Sequence, residues 1–442
     1  MLQMKIMQKI HCIGIGGIGI SALARYFFSQ GYTVSGSDAV ETDLTEELRN
    51  EGIKISIGER VGNVPTDASL VIYSPAVPKT HAELRAAHEY GIETKSYPQA
   101  LGELTKEFTT IAVSGSHGKS TTTSLIALLL IAAKLDPTVI VGTKLSEFKG
   151  KNFRAGNSQY LVLEADEWNR SFHYYSPKII VLTNIDKEHL DTYKTYAGVL
   201  KGFRDYVGHL KENGVLIANF KDPGVRKIGE EFLKKGRKVI WYNKTAKKPY
   251  ALGIPGAHNQ VNADAAAAVG EILGISKLTR DHVFASFKGA WRRMERLKVR
   301  GRMVYSDYGH HPTEIKATLE ALKSAHPKTN LICVFEPHQR DRLSRLFKDF
   351  IYAFDKANLV ILLPIYAVSG REHTPTKNEK DSFALAQAIR AHKKGSFYAM
   401  NIPGAMKIIS KFDAETSVIV FMGAGDIDAN VRKYFSSNIK KS

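Results

Sequence analysis

Cysteine is nearly absent from this chain: of 442 residues, only Cys12 and Cys333 carry a thiol. Two thiols cannot build a disulfide framework, and each stands in an apolar, strand-like run, IHCIGI and LICVFE. Both are expected as buried free thiols, with a reducing, cytoplasmic compartment to match. Long hydrophobic runs are missing too. The longest, Leu125–Ala133, is less than half of the ~20 residues that a bilayer span requires, so no membrane span is expected. Basic residues before IHCIGIGGIGI imitate a short signal peptide, but the run lacks a cleavage site and continues into a glycine turn. No leader is expected. Acidic residues are in deficit: 44 Asp and Glu face 62 Lys and Arg, a formal net charge of +18. A lysine-rich solvated surface is the plain account of that balance. The same field attracts polyanions. No arginine run interleaves with aromatics, which argues against nucleic acid and leaves phosphorylated small molecules.

Repeats and low-complexity tracts are also lacking. What is present is 43% hydrophobic residues, enough for several cores, arranged in three blocks of alternating strand and helix patterns. Residues 1–105 contain the strand-like runs KIHCIGI, YTVSGSD and SLVIYSPAV. Residues 106–290 contain TTIAVSG, YLVLEA, KIIVLTNI and GVLIANF, with a long helical stretch after the first and an Ala-rich helix near the end. Residues 291–442 contain RMVYSDYG, NLICVFE, ANLVILLP and SVIVFMG. Near-continuous apolar strands separated by helices predict mostly parallel sheets covered on both faces. The expected fold is α/β with three doubly wound domains in which 1–105 and 291–442 are Rossmann-like.

Two glycine loops carry the chemistry. GIGGIG fits G-x-G-x-x-G through Gly14, Gly16 and Gly19, between a strand and a helix, and Asp38 ends the next strand. Such glycines let the backbone approach a diphosphate, and the helix start supplies N–H donors. Alone, this loop fits a nicotinamide-dependent oxidoreductase, or a structural turn. The second loop, VSGSHGKSTTT from Val113 to Thr123, also lies between a strand and a helix. It departs from G-x-x-x-x-G-K-[ST], because position 113 is Val and the upstream glycine is Gly115. Lys119 still suits terminal phosphates and Ser120 still suits Mg²⁺. One chain with both loops is expected to take two phosphorylated ligands, one of them with a cation.

Further candidates lie at strand ends, where α/β folds build sites. LVLEADEWN supplies Glu164, Asp166 and Glu167, and VLTNIDKEHLDTY supplies Asn184, Asp186, His189 and Asp191. Carboxylates suit Mg²⁺. In the third block, SDYGHHPTEI and FEPHQRDRL contribute Asp307, Tyr308, His310, His311, His338, Arg340 and Arg342. The His pair has no zinc-type spacing or cysteine partner, and the arginines suit a carboxylate or phosphate.

In this order, GIGGIGISALA, SPAV, GSHGKSTTT, EADE, TNIDKEHLDTY, HNQVNADAA, DYGHHPTEI, EPHQRDRL and GAGDI resemble the Mur ligases of bacterial cell-wall synthesis over nearly the whole chain. The family's own phosphate loop has the shortened spacing seen here. The resemblance implies a UDP-binding domain, a central ATPase domain and a C-terminal Rossmann-like domain. It also implies an ATP- and Mg²⁺-dependent amide ligase working through an acyl phosphate, on the branch that joins L-alanine to UDP-N-acetylmuramate. Carried over by matching positions, Lys119, Glu164 and His189 are catalytic, Ser120 and Glu164 hold one Mg²⁺, and Glu164 and His189 hold a second. Gly115, Ser116, His117, Gly118, Lys119, Ser120, Thr121, Asn184, His258, Asn259, Asn262, Arg293 and Asp307 match the ATP site. Gly16, Gly17, Ile18, Gly19, Asp38 and Ser74 match the UDP-sugar site. Tyr308, His310, His338 and Arg342 match the amino-acid pocket. A monomer or homodimer that closes on its ligands is expected.

Three departures from the family pattern stand out. Trp168 and Asn169 replace the Ser-Asp that usually follows E-A-D-E, Gln339 replaces an arginine, and Phe203 stands where sister ligases carry a carbamylated lysine, with Lys201 two residues away. The last agrees with the alanine-adding branch. The rival acceptor is a recycled tripeptide; rivals of other classes are an oxidoreductase using only the first loop and a UDP-sugar sensor without turnover.

Overall fold

The computed structural model describes residues 8–245, 248–299, 301–367, 380–393, 395–412 and 417–439. It contains three sheets. The first holds β1 (Lys9–Ile13), β2 (Thr33–Asp38), β3 (Lys54–Ile57), β4 (Leu70–Tyr73) and β5 (Glu93–Ser96). Its order is β3-β2-β1-β4-β5 and every pair is parallel. The second holds β6 (Thr109–Ser114), β7 (Thr138–Leu145), β8 (Lys151–Arg154), β9 (Tyr160–Glu164), β10 (Ile179–Leu182), β11 (Val215–Asn219) and β12 (Lys238–Tyr242). Its order is β12-β11-β10-β6-β9-β7-β8, with only β7 and β8 antiparallel. The third holds β13 (Glu295–Leu297), β14 (Met303–Asp307), β15 (Asn330–Phe335), β16 (Leu359–Leu362), β17 (Ser396–Tyr398) and β18 (Ser417–Met422), in the order β13-β14-β18-β15-β16-β17. The α/β class and the mostly parallel sheets agree with the sequence reading.

Seven of these strands carried no expectation: β3, β5, β7, β8, β12, β13 and β17. Six of them are sheet edges. Edge strands face water along one side and one row of hydrogen bonds, so they are short and polar, as ETKS in β5 and KNFR in β8 are. The apolar signal used to find strands marks central ones. The seventh, β7, reads TVIVGTKL, and Gly142 breaks its apolar run.

Central strands are dry. Ile111, Ala112 and Val113 on β6 have no exposed surface, and neither do Leu161, Val162 and Leu163 on β9. The helix Lys119–Ala132, behind the second glycine loop, buries every residue from Ser120 to Leu130 except Leu128. A helix apolar all round is a core helix, and it anchors the loop rigidly at its start. Cys12 on β1 and Cys333 on β15 are fully buried free thiols, as expected; burial pushes the Cys12 thiol up to about 12. Among the described residues, no helix is long and apolar enough to cross a membrane.

The chain forms two compact units. One comprises Met1–Ala251 with Val261–Ala285, and so contains the first two sheets; the other comprises Leu252–Gln260 with Ser286–Ser442.

Candidate functional site

The first glycine loop leaves β1 at Gly14, whose φ of +78° suits glycine. Ser37 O accepts hydrogen bonds from Gly14 N and Ile15 N, which ties the loop to β2. Asp38 Oδ2 accepts from Gly16 N at 2.8 Å, and a Cβ on Gly16 would sit 2.9 Å from that oxygen. Asp38, expected on the UDP-sugar, therefore props the loop open from beneath. Ser74 follows β4, and its Cβ lies 3.0 Å from where a Gly14 Cβ would stand. A Cβ on Gly19 would meet the Tyr97 ring at 2.9 Å. Tyr97 is the residue that sequence reasoning missed. Burial raises its pKa, and Glu164 and Asp166 raise it further. It thus lies against the first loop and within electrostatic reach of the carboxylates that follow β9.

The second loop is bolted to the end of β10. Ser116 N donates to Asn184 O (3.0 Å) and His117 N to Asn184 Oδ1 (2.8 Å), while Asn184 Nδ2 and Thr183 Oγ1 both donate to His117 O. Asp186 N donates to Ser116 Oγ, and His117 Nε2 lies 3.0 Å from Asp186 Oδ2. Gly115 has φ +133°, and a Cβ there would fall 2.1 Å from Thr183 Oγ1. The glycine at 115 has a cause: the loop is pressed onto residues 183–186, and only glycine passes there. Gly118, at φ +81°, opens the helix Lys119–Ala132, and a Cβ on it would meet Asn262 Oδ1 at 2.4 Å. The first-turn N–H groups of that helix have no intrahelical acceptor, an arrangement that suits an anion. Thr121 and Asn262 are buried there, and Thr122 Oγ1 donates to Asn262 Oδ1.

Lys119 Nζ donates to Gly115 O (2.7 Å) and to Glu167 Oε2 (2.9 Å). Burial opposes its charge, but Glu167, Asp166 and Glu164 outweigh burial and its pKa is raised. Ser120 Oγ donates to Glu164 Oε2 at 3.2 Å, and Gly142 N on β7 donates to Glu164 Oε1 at 2.8 Å. Ser120 and Glu164 are thus brought together, a donor set that suits a hard divalent cation. His189 sits in left-handed backbone (φ 51°, ψ 43°), with Nε2 3.8 Å from Glu167 Oε1 and 4.0 Å from Asp166 Oδ1. The cation-type cluster containing His189 consists of Asp166, Glu167 and His189 rather than Glu164. Trp168 Nε1 donates to Asp191 Oδ2 and Asn169 N to Thr192 Oγ1, so the departing residues bind the E-A-D-E loop to the His189 loop. Phe203 is fully buried with its ring edge-on to Phe172 at 5.4 Å, and Lys201 pairs with Asp205 at the surface.

The second unit gathers its own set. Tyr308 and His310 rings meet at 5.4 Å, His310 and His338 at 5.4 Å, and His338 stacks on Tyr366 at 5.6 Å. Arg342 Nη1 donates to His338 Nδ1 at 3.0 Å. Arg292 and Arg293 lie over the Tyr308 ring. Gln339 has φ 68°, a conformation that carries strain in a non-glycine residue. Asp307, expected on ATP, is buried and its carboxylate accepts from Met294 N, Gly309 N and Thr318 Oγ1. It holds the 307–309 turn. Burial pushes the His258 imidazole down to about 4 against the pull of Glu314, and Asn259 Nδ2 donates to Pro255 O.

Three family descriptions match in chain order: the Mur ligase family, catalytic domain, over residues 9–109; the Mur ligase middle domain over 113–252; and the Mur ligase, glutamate ligase domain over 292–425. The UDP-N-acetylmuramate–L-alanine ligase of Hydrogenobaculum sp. is 37% identical over 444 residues, covering 95% of this chain and 96% of its own. That of Aquifex aeolicus is 37% identical over 445 residues, covering 95% of each. The crystal structure of UDP-N-acetylmuramate–alanine ligase from Thermotoga maritima superposes with a TM-score of 0.83 at 25% identity, covering 98% of this chain and all of that one. A murein peptide ligase from Psychrobacter arcticus shares the fold, with a TM-score of 0.70 at 22% identity over 97% of this chain and 98% of its own. With a phosphate loop, a lysine and strand-end carboxylates assembled as above, and relatives matched end to end, the chain belongs to the Mur ligase family.

Proposed function

We propose that this chain is an ATP-dependent ligase that joins L-alanine to UDP-N-acetylmuramate through an acyl phosphate, in peptidoglycan synthesis. One observation carries the reading: Lys119, Ser120 and Glu164 stand together at the ends of β6 and β9 in a chain whose end-to-end relatives bear that name. A carboxylate is a poor electrophile, and phosphorylation turns one of its oxygens into a leaving group. Phosphoryl transfer between two anions then requires neutralisation of charge.

The residues divide the work as follows. The loop Gly115–Thr121 cradles the triphosphate with the N–H groups of its helix start, and Lys119 neutralises the transferred phosphoryl group. Ser120 and Glu164 would hold one Mg²⁺ and His189 a second, which when bound supply Lewis-acid stabilisation at the phosphate oxygens. Asn184, through its grip on His117, fixes the loop's shape. His258, Asn259, Asn262, Arg293 and Asp307 are assigned to ATP by their match to the family's positions. Gly16, Gly17, Ile18, Gly19, Asp38 and Ser74 serve the UDP-sugar in the domain 1–105. Tyr308, His310, His338 and Arg342 receive the amino acid in the domain 291–442, and the domain 106–290 binds ATP.

Phosphate release with ATP, Mg²⁺ and UDP-N-acetylmuramate, measured against a panel of amino acids and the recycled tripeptide, tests the reading. Release with L-alanine is the expected result. Release with the tripeptide alone replaces the acceptor, and no release with any of them overturns the ligase. Lys119→Ala is expected to lower kcat at least ~1000-fold while UDP-sugar binding, read by calorimetry, survives. Equal loss of both contradicts two separate phosphate sites.

A further inference from the structure

Glu167 has no part in the reaction as proposed, yet it is the most confined acid beside the second loop. Its side chain is fully buried. Oε2 accepts from the Lys119 ammonium, whereas Oε1 is buried without a hydrogen-bond partner. That oxygen faces His189 Nε2 at 3.8 Å, and Asp166 Oδ1 stands 4.0 Å from the same nitrogen. One ligand atom each from Asp166, Glu167 and His189 lie within 4.8 Å of one another. The Glu167 backbone is pinned, because Tyr193 donates its hydroxyl to Glu167 O at 2.7 Å. His189 is held in left-handed backbone, a conformation that persists only where the surroundings impose it. A buried carboxylate oxygen without a donor is costly unless something else occupies it.

We propose that Glu167 is a shared ligand: it holds the Lys119 ammonium before nucleotide binds, and gives its carboxylate to a divalent cation of the Mg²⁺/Mn²⁺ class, also held by Asp166 and His189, once Lys119 turns to the phosphates. This rests on the ligase reading and deepens it. Ammonium and cation compete for one carboxylate, so the two positive charges are brought in as alternatives before the triphosphate supplies the anions that let both remain. Carboxylate oxygens with one imidazole suit Mn²⁺ as well as Mg²⁺, which makes Mn²⁺ a direct probe.

The test is Mn²⁺ binding to the full chain without nucleotide, read as loss of the free aquo-ion signal in electron paramagnetic resonance. Glu167→Gln is expected to weaken Mn²⁺ binding at least about tenfold, the usual scale for a lost ligand or its support. Lys119→Met is expected to tighten it about tenfold, and that gain is expected to vanish in the double variant. A gain that survives in the Glu167→Gln background reflects charge at a distance and overturns the proposal, as does unchanged binding in Glu167→Gln. Circular dichroism checks folding. Should Glu167→Gln fail to fold, Asp166→Asn and His189→Ala carry the test, and wild-type Mn²⁺ affinity in both overturns it. The proposal falls separately from the ligase reading: a wild-type chain that releases phosphate with L-alanine, but binds Mn²⁺ independently of Glu167, refutes the shared ligand alone.

Discussion

Gly115 shows what one residue decides. Its φ of +133° lies where side chains are strained, and a Cβ would stand 2.1 Å from Thr183 Oγ1 and 2.9 Å from Asn184 O. The space is closed by backbone as well as by a side chain, so no rotamer change relieves it. Gly115→Ala is expected to cost about 2 kcal/mol or more and to loosen residues 115–118 from 183–186. Chemical denaturation measures the first effect. Hydrogen exchange at Ser116 N and His117 N measures the second, because both are bonded to Asn184. Wild-type stability and protection in the variant would show that the loop is not pressed onto residues 183–186. The residues around this glycine were legible as a motif, but their partners were not. The sequence reading assigned Ser116, His117 and Asn184 to nucleotide; the structure adds the bonds that tie them to one another and to Asp186. A motif reports which residues travel together, and not what holds them in place.

Strand ends are the elements that matter most here, and a buried acid follows β15. Glu336 is 8% exposed and accepts from Ile427 N at 3.2 Å. Burial raises its pKa to about 7; Asp426 adds to the rise, and the Ile427 N–H and Arg292 oppose it. The folded chain therefore binds this proton more tightly than the unfolded chain, where a glutamate titrates near its ordinary 4.5. The resulting stability is complete below the unfolded pKa and is lost as pH rises through about 7. Glu336→Gln keeps an acceptor for Ile427 and removes the titration. Between pH 4.5 and pH 8 the variant is expected to lose roughly 2–3 kcal/mol less stability than the wild type in the transition of the second unit. Parallel pH profiles for the two proteins would show that Glu336 does not titrate in this range. At this scale the central strands and most helices were readable, because buried strands of a parallel sheet are written in unbroken apolar residues. The edges were not, for the reason given by ETKS and KNFR: water on one side permits polar residues, and the pairing that makes them strands lies in a distant part of the chain.

At the scale of the whole molecule, the first two sheets share one compact unit and one apolar cluster, and a buried arginine adds a polar clamp between them. Arg25, 3% exposed, comes from the helix Ile18–Ser29 that follows the first glycine loop. Its guanidinium donates to both Glu51 carboxylate oxygens (2.8–3.1 Å), to Glu47 Oε2 (3.3 Å) and, across to β8, to Asn152 Oδ1. Asn152, fully buried, returns Nδ2 to Ile18 O and Ser21 Oγ of the same helix. Lys144 on β7 binds Glu47, and Lys151 on β8 binds Glu51. The helix that opens the first phosphate loop is thereby clamped to the strand pair next to β9, whose end carries Glu164. None of this was visible in the sequence, since Arg25 and Asn152 are 127 residues apart and neither belongs to a motif. Arg25→Met preserves the length of the side chain and removes every donor. It leaves Asn152 Oδ1 buried without that donor and Glu51 with Lys151 alone, a class of change that costs about 1–3 kcal/mol. The loss belongs to the attachment between sheets and not to either core, so calorimetry is expected to resolve an early transition for the first sheet while the remainder melts as in the wild type. The KM for UDP-N-acetylmuramate is expected to rise more than kcat falls, because the first loop loses its fixed position while Lys119 and Glu164 keep theirs. A single transition, shifted by less than about 1 kcal/mol, would show that the two sheets are joined by apolar contact and that the arginine only decorates the seam.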